Sequence, residues 1–449
     1  MNERFGRETD SSINSSYERA FLSNRNRIAE QLFHNPSYRC FDAMNEMSLL
    51  TEEYINNSDS SNNHVFLAGG SLGRREMLPN SDIDLFIVND MHDKNLVYAG
   101  VDKFEIGYIN KENLKDLVRC SLVDGNRLVD SRLISHDEDL DIQNIILLEN
   151  TFDRQLANII SEFCYFRNFD YPQKNSISLG PNLKYSSGSS RDTIFFNWIY
   201  RAESGVLPSC GNSLNGSELE SALHFMSDSY NLRPPFAAID LILTVKNAAI
   251  SIYNSNGDIR SKYHSYPNLE TIYNLCSDKF RSLGLLDTQQ FCKVYGESRL
   301  EIEHSVKEYI NRFLSKDSIP DDLRAILTIS GRSLAKKEYM DYLISATNQS
   351  HSATALASWM LVQEDPSSEE IDIIAKNFMN NNLDRIWGGI MAVICSPNIN
   401  DLTLCLLAEW LYTNEKGAYL LKLISRSPAA SLGTKEIAYG YYKQKERMK

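Results

Sequence analysis

Residues 65–88, VFLAGGSLGRREMLPNSDIDLFIV, constrain this chain more than any other stretch. Residues 65–68 are a short apolar run that predicts a buried strand. Gly69 and Gly70 turn the chain, Ser71 follows, and Arg74, Arg75 and Glu76 make a short polar segment ended by Pro79 and Asn80. A second strand is predicted next, with Asp82 and Asp84 flanking Ile83 before residues 85–88 run into the interior.

Strand side chains alternate faces, so Asp82 and Asp84 leave the same face. Two carboxylates held that close repel, and burying them unpaired is costly, so they call for a cation. Hard oxygen ligands on a strand suit Mg2+, with Mn2+ as an alternative. The Gly70-Ser71 turn supplies the complementary half, because backbone N–H groups at a glycine turn can approach a phosphate. A phosphate-cradling turn eleven residues ahead of a D-x-D pair predicts a joint nucleotide and metal site. Arg74 is expected nearby as a charge clamp; a solvated helix face is the alternative for Arg74 and Arg75, with Glu76 pairing to one of them.

These residues carry a resemblance. G-S, a spacer and D-I-D resembles the nucleotidyltransferase superfamily that includes DNA polymerase beta. The longer string GSLGRREMLPNSDID is similar to the bacterial uridylyltransferases that modify PII signalling proteins. FEIGYI, residues 104–109, is similar to the strand carrying that branch's third carboxylate. GPNLKYSSGSSRDTIFFNWIYRA, residues 180–202, resembles its PN-x-K…G-x-x-RD segment.

The resemblance implies Mg2+-dependent transfer of UMP or AMP from UTP or ATP to a hydroxyl, with release of pyrophosphate. It implies Asp82, Asp84 and Glu105 as the metal-binding, catalytic carboxylates. Alternation alone leaves Glu105 open as a solvated edge-strand residue, and Asp102 competes for the third position. Lys184 and Arg191 lie near a helix start and reach the triphosphate or serve only as surface and capping polarity. Ser189 or Ser190 is a natural N-cap for a helix from Arg191. His136-Asp137 is an isolated HD dipeptide without a second histidine cluster, so the phosphohydrolase domain of the PII-modifying enzymes is expected to be absent.

The 449 residues predict an α+β chain of several parts. A flexible tail is expected over 1–24, a mixed-sheet nucleotidyltransferase domain over 25–150 and a helical domain over 151–330. Helices are predicted over 17–57 and, in the helical domain, over 217–229, 235–253, 268–281, 287–313 and 321–330. C-terminal α-helical repeats are expected over 335–449. There Pro366, Pro397 and Pro428 recur 31 residues apart between apolar helical patterns, which argues for a solenoid-like stack, with three coincidental helix hairpins as the alternative; such stacks commonly bind protein, so a protein acceptor is expected there.

A net charge of −13 makes nucleic acid an unlikely partner, because such binding rests on Lys and Arg neutralising phosphates. Eight scattered cysteines without C-x-x-C read as reduced, buried thiols. With no apolar signal or membrane-spanning run, a cytoplasmic protein is expected. Two rival readings are nucleotidyl transfer to a small molecule of the antibiotic type, and a nucleotide-binding interaction scaffold without turnover.

Overall fold

The computed structural model describes residues 14–58, 65–81, 83–88, 104–109, 131–134, 188–190, 192–204, 217–255, 269–316, 366–380, 383–414 and 417–448. It also describes single residues or pairs at 156, 159, 319, 321–322, 341, 345, 354, 357–358 and 360. These fall into two compact units, one up to residue 309 without Leu156 and Ile159, the other holding those two and the residues from 310 onward. The chain is of the α+β class.

The first unit opens with α1 (Asn14–His34) and α2 (Cys40–Ser58). Part of the tail expected over 1–24 is therefore helix, because Phe21 is buried and stacks on Tyr54 at 4.6 Å, which ties the first turns of α1 to α2. Pro36 cannot continue the helix, and the Asn35 side chain accepts the Ser37 amide at 3.1 Å to make the turn.

The sheet has the order β3-β2-β1-β4, with β1 (Val65–Ala68), β2 (Ile83–Val88), β3 (Phe104–Ile109) and β4 (Arg132–Leu133). β1 pairs antiparallel with β2 from Val65↔Val88 to Ala68↔Leu85, and antiparallel with β4. β2 and β3 are parallel, so the sheet is mixed. In β2, Ile83, Leu85 and Ile87 are buried while Asp84 and Phe86 are half-buried, the period-two pattern of a strand with one face on the core. Between β1 and β2 lies only the four-residue turn α3 (Gly70–Gly73) and an extended loop.

Helices α4 (Ile194–Ser204), α5 (Glu218–Tyr230), α6 (Phe236–Ser255), α7 (Leu269–Leu275), α8 (Ser277–Ser282) and α9 (Thr288–Leu314) follow. α4 packs on α5, and α6 on α1, α2 and α7. The helix predicted over 268–281 runs as two pieces, because Cys276 leaves helical geometry at φ −104 and ψ 22. α4 begins at Ile194 and not at Arg191. The Asp192 carboxylate accepts the Gly188 amide at 2.7 Å and holds the preceding residues in a turn. Gly188 has φ +69, and a Cβ there would overlap the Arg299 carbonyl of α9 and come within 2.8 Å of its Cα, so this turn can only close on glycine.

The second unit contains α10 (Ser368–Met379), α11 (Leu383–Ile394), α12 (Asp401–Thr413), α13 (Ala418–Ile424) and α14 (Leu432–Met448). α10 packs on α11 and α12, α12 on α13 and α14, and α11 on α13. Each odd- or even-numbered helix thus meets its counterpart one pair along. A side-chain cap recurs at each helix pair: Ser367 accepts from Glu370, Asn400 from Thr403 and Ser431 from Thr434. Other bonds tie one helix pair to the next. Asp372 accepts from Asn400 at 2.9 Å and from the Thr403 hydroxyl, Asp401 accepts the Ser431 amide at 2.6 Å, and Asn398 donates to the Pro366 carbonyl at 2.9 Å.

Among the described residues no helix is long and apolar enough to cross a membrane. The five described cysteines are free thiols; Cys40 and Cys276 are buried, whereas Cys292, Cys395 and Cys405 are only half-buried.

Candidate functional site

The turn after β1 and the carboxylate of β2 are built against each other. The Gly69 amide donates to the Asp84 carbonyl at 2.9 Å, extending the β1–β2 pairing by one residue. Gly70 then takes φ +52, a left-handed conformation that disfavours a side chain. A Cβ at Gly70 would overlap the Asp84 carboxylate Oδ2 and lie 3.1 Å from its Cγ. Glycine is needed here because the carboxylate occupies the space a side chain would take. The first bonds of α3 are donated by Gly73 to the Gly69 carbonyl at 3.0 Å and by Arg74 to that of Gly70 at 3.3 Å. The amides of Gly70, Ser71 and Leu72 precede them, where a helical turn has no acceptor of its own. Ser71 is half-buried, and its carbonyl accepts the Glu76 amide at 2.7 Å.

Asp84 and Glu105 are register partners across the parallel β2–β3 pair. Their backbones are therefore about 4.8 Å apart in the hydrogen-bonding direction. Asp82, Asp102, Lys184, Arg191 and the His136-Asp137 dipeptide lie outside the described residues, as does the Glu105 side chain. Asp84 is thus the one expected carboxylate whose side chain is described. Among the described residues no set of three His, Cys, Asp or Glu side chains gathers in a way that would hold a metal ion.

Arg74 and Arg75 do not lie on a solvated helix face. α3 stops at Gly73, and Arg75 takes φ +54, which turns both side chains inward. Arg74 Nε donates to Glu76 Oε2 at 2.9 Å, and both side chains are under a tenth exposed. Asn197 of α4 donates to the other Glu76 oxygen. The Glu218 amide donates to the Arg74 carbonyl at 3.3 Å, and the Glu218 side chain pairs with buried Arg201, again from α4. Burial pushes the Glu76 carboxyl above its ordinary range; Arg74 and Asn197 oppose that rise, and nearby Glu218 adds to it. The guanidinium expected beside the phosphates is thus committed to a buried network. Arg75 shares Glu52 with Arg132, whose Nε also donates to the Gly73 carbonyl at 3.4 Å. Burial, and then the neighbouring Arg132 charge, lower the Arg75 pKa.

The rest of the loop is pinned from further along the chain. The Met77 amide donates to Ser48 of α2 at 3.3 Å. The Asn80 amide donates to the Asn247 side-chain oxygen at 3.0 Å, and the Asn80 side chain donates to the Asn247 carbonyl at 3.3 Å. Asn247, Asn197, Arg201 and Glu218 were not among the residues expected from sequence. Two had a visible signal: Asn197 and Arg201 are four apart in the apolar helix IFFNWIYRAES and so share a face. Nothing local marks Asn247 or Glu218.

No protein-family model matches this chain, and no curated protein matches it either.

Proposed function

We propose that this chain is a metal-dependent nucleotidyltransferase that moves UMP or AMP from an NTP onto a protein hydroxyl. The reading divides the chain into a nucleotidyltransferase sheet domain, a helical domain packed behind its loop, and C-terminal helical repeats that receive the protein acceptor. The single observation that carries it is the seating of the Asp84 carboxylate on the bare Cα of Gly70. This joins a glycine turn with leading backbone amides to an acidic strand, the pairing that triphosphate and metal binding require.

Asp82, Asp84 and Glu105 are the residues that would hold Mg2+ or Mn2+, which would supply charge neutralisation on the triphosphate and activation of the acceptor hydroxyl. The register supports Glu105 over Asp102 for the third position, since Glu105 is the residue paired with Asp84. Gly70 and Ser71 present amides toward the departing β- and γ-phosphates. Arg74 acts indirectly, by holding the loop, while Lys184 and Arg191 remain the candidates for direct charge contact with the triphosphate. The acceptor oxygen bonds to the α-phosphorus, the bond to the β-phosphate oxygen breaks, and pyrophosphate leaves. This chemistry rests on positioning and electrostatics and needs no covalent nucleophile from the protein.

The test is a thermal-shift screen of the four NTPs with Mg2+ on wild type and Asp84→Asn, followed by labelled-NTP transfer in lysate. Wild type should be stabilised by a preferred NTP and label a protein band; Asp84→Asn should fold but do neither. Full activity in Asp84→Asn would refute the reading. Label confined to small molecules would favour a small-molecule acceptor, and NTP binding without transfer would favour a scaffold.

A further inference from the structure

Residues 417–449 carry seven Lys or Arg against two Glu, a local charge of +5 in a chain whose total is −13. Four of these seven, Lys422, Arg426, Lys435 and Lys443, lie on or beside α13 and α14, where tyrosines also gather. Lys435, Tyr439, Tyr442 and Glu446 follow one another at helical spacing along α14. The Tyr439 and Tyr442 rings are 6.2 Å apart, and Tyr439 is 52% exposed. Lys422 of α13 lies 5.6 Å from the Tyr442 ring centre, and Lys443 lies 5.3 Å from the same ring and 5.6 Å from that of Tyr439. Exposed Arg426, two residues past the end of α13, also acts electrostatically on Tyr442. Within this cluster Glu446 is already engaged, accepting from the Tyr442 hydroxyl and from Lys443 at 2.9 Å. Glu436 is one residue beyond Lys435, about 100° further round the helix.

We infer that this basic, tyrosine-lined seam of α13 and α14 is a docking surface for an acidic segment of a protein partner. Charge complementarity selects the occupant. Carboxylates would meet Lys422, Arg426, Lys435 and Lys443, while apolar or aromatic side chains of the segment would cover the exposed Tyr439 ring. A nucleic-acid strand fits less well: beyond the seam the chain is net acidic, which repels a continuous phosphate backbone but not a short peptide. That this partner is the acceptor of nucleotidyl transfer rests on the function proposed above; the docking surface itself does not.

The experiment uses the full chain and a short fluorescein-labelled peptide of glutamates with interspersed tyrosines. Its glutamine counterpart and a single-stranded oligo-dT serve as comparisons, all read by fluorescence anisotropy. Wild type should bind the acidic peptide saturably, weaken with rising salt, and bind the other two less tightly. Lys422→Glu with Arg426→Glu should weaken the acidic peptide by about tenfold or more, from loss and reversal of two contacts. Circular dichroism should show both proteins equally folded. No saturable peptide binding, no effect of the double reversal, or tighter binding of oligo-dT would each overturn the inference. Mg2+–NTP thermal shifts on the same samples separate the two readings. A peptide response without an NTP response keeps the docking surface and sinks the nucleotidyltransferase, and the opposite pattern does the reverse.

Discussion

Glu76→Ala should be among the most damaging single changes in the first unit, although Glu76 touches no proposed ligand. Its carboxylate faces Arg74 Nε at 2.9 Å and accepts from Asn197, and Arg74 is only 7% exposed. Removing one partner of a buried ion pair leaves the other charge uncompensated, at a cost of about 3–5 kcal/mol. The Asn197 amide loses its acceptor as well, a contribution of about 1–3 kcal/mol that overlaps the first and does not simply add to it. A net loss of about 4 kcal/mol is a large share of the ~5–15 kcal/mol that holds a typical domain folded.

Urea denaturation followed by circular dichroism measures the loss, and hydrogen exchange localises it to α4 and the loop over 74–81. The double variant Arg74→Met with Glu76→Leu should be less destabilised than Glu76→Ala alone, because no buried charge is stranded. The pH dependence carries a sign as well. Burial raises the folded Glu76 pKa above the ordinary 4.5, so the folded state holds that proton more tightly than the unfolded chain. The stability this provides is complete below about pH 4.5 and is lost as pH rises through the folded pKa. Glu76→Gln cannot titrate, so the wild type's advantage over it should shrink as pH rises. A loss under about 1 kcal/mol for Glu76→Ala, with a double variant that is simply additive, would refute the argument.

Two further changes probe the other observations. Gly70→Ala should cost about 1–2 kcal/mol for the left-handed backbone alone and should displace the Asp84 carboxylate, so thermal melts with and without Mg2+–NTP should show a lower Tm and a lost ligand response. Asp372→Ala removes the acceptor shared by Asn400 and Thr403 and should lower the stability of the helix stack by about 1–3 kcal/mol; an unchanged urea transition for α10 and α12 would show that these bonds do not tie one helix pair to the next.

Much of the layout was present in local pattern. The alternation of IDLFIV and the apolar run VFLA each depend on near neighbours, and each strand formed where that pattern placed it. The glycine at position 70 was also legible as a turn, but its strongest reason was not. That reason is the carboxylate of Asp84, fourteen residues along the chain and brought to it by antiparallel pairing.

Arg74 marks the limit of sequence reasoning here. A basic residue beside a glycine turn is equally compatible with a phosphate clamp, a solvated face or a buried pair. Its partners, Glu76 and through it Asn197, are set by a left-handed residue at Arg75 and by a helix more than a hundred residues away. Local composition determines which backbone a segment adopts, because propensity and periodicity act over a few residues. Which polar group meets which in the interior is decided only when distant segments pack, because a buried charge must find its partner wherever the fold brings one.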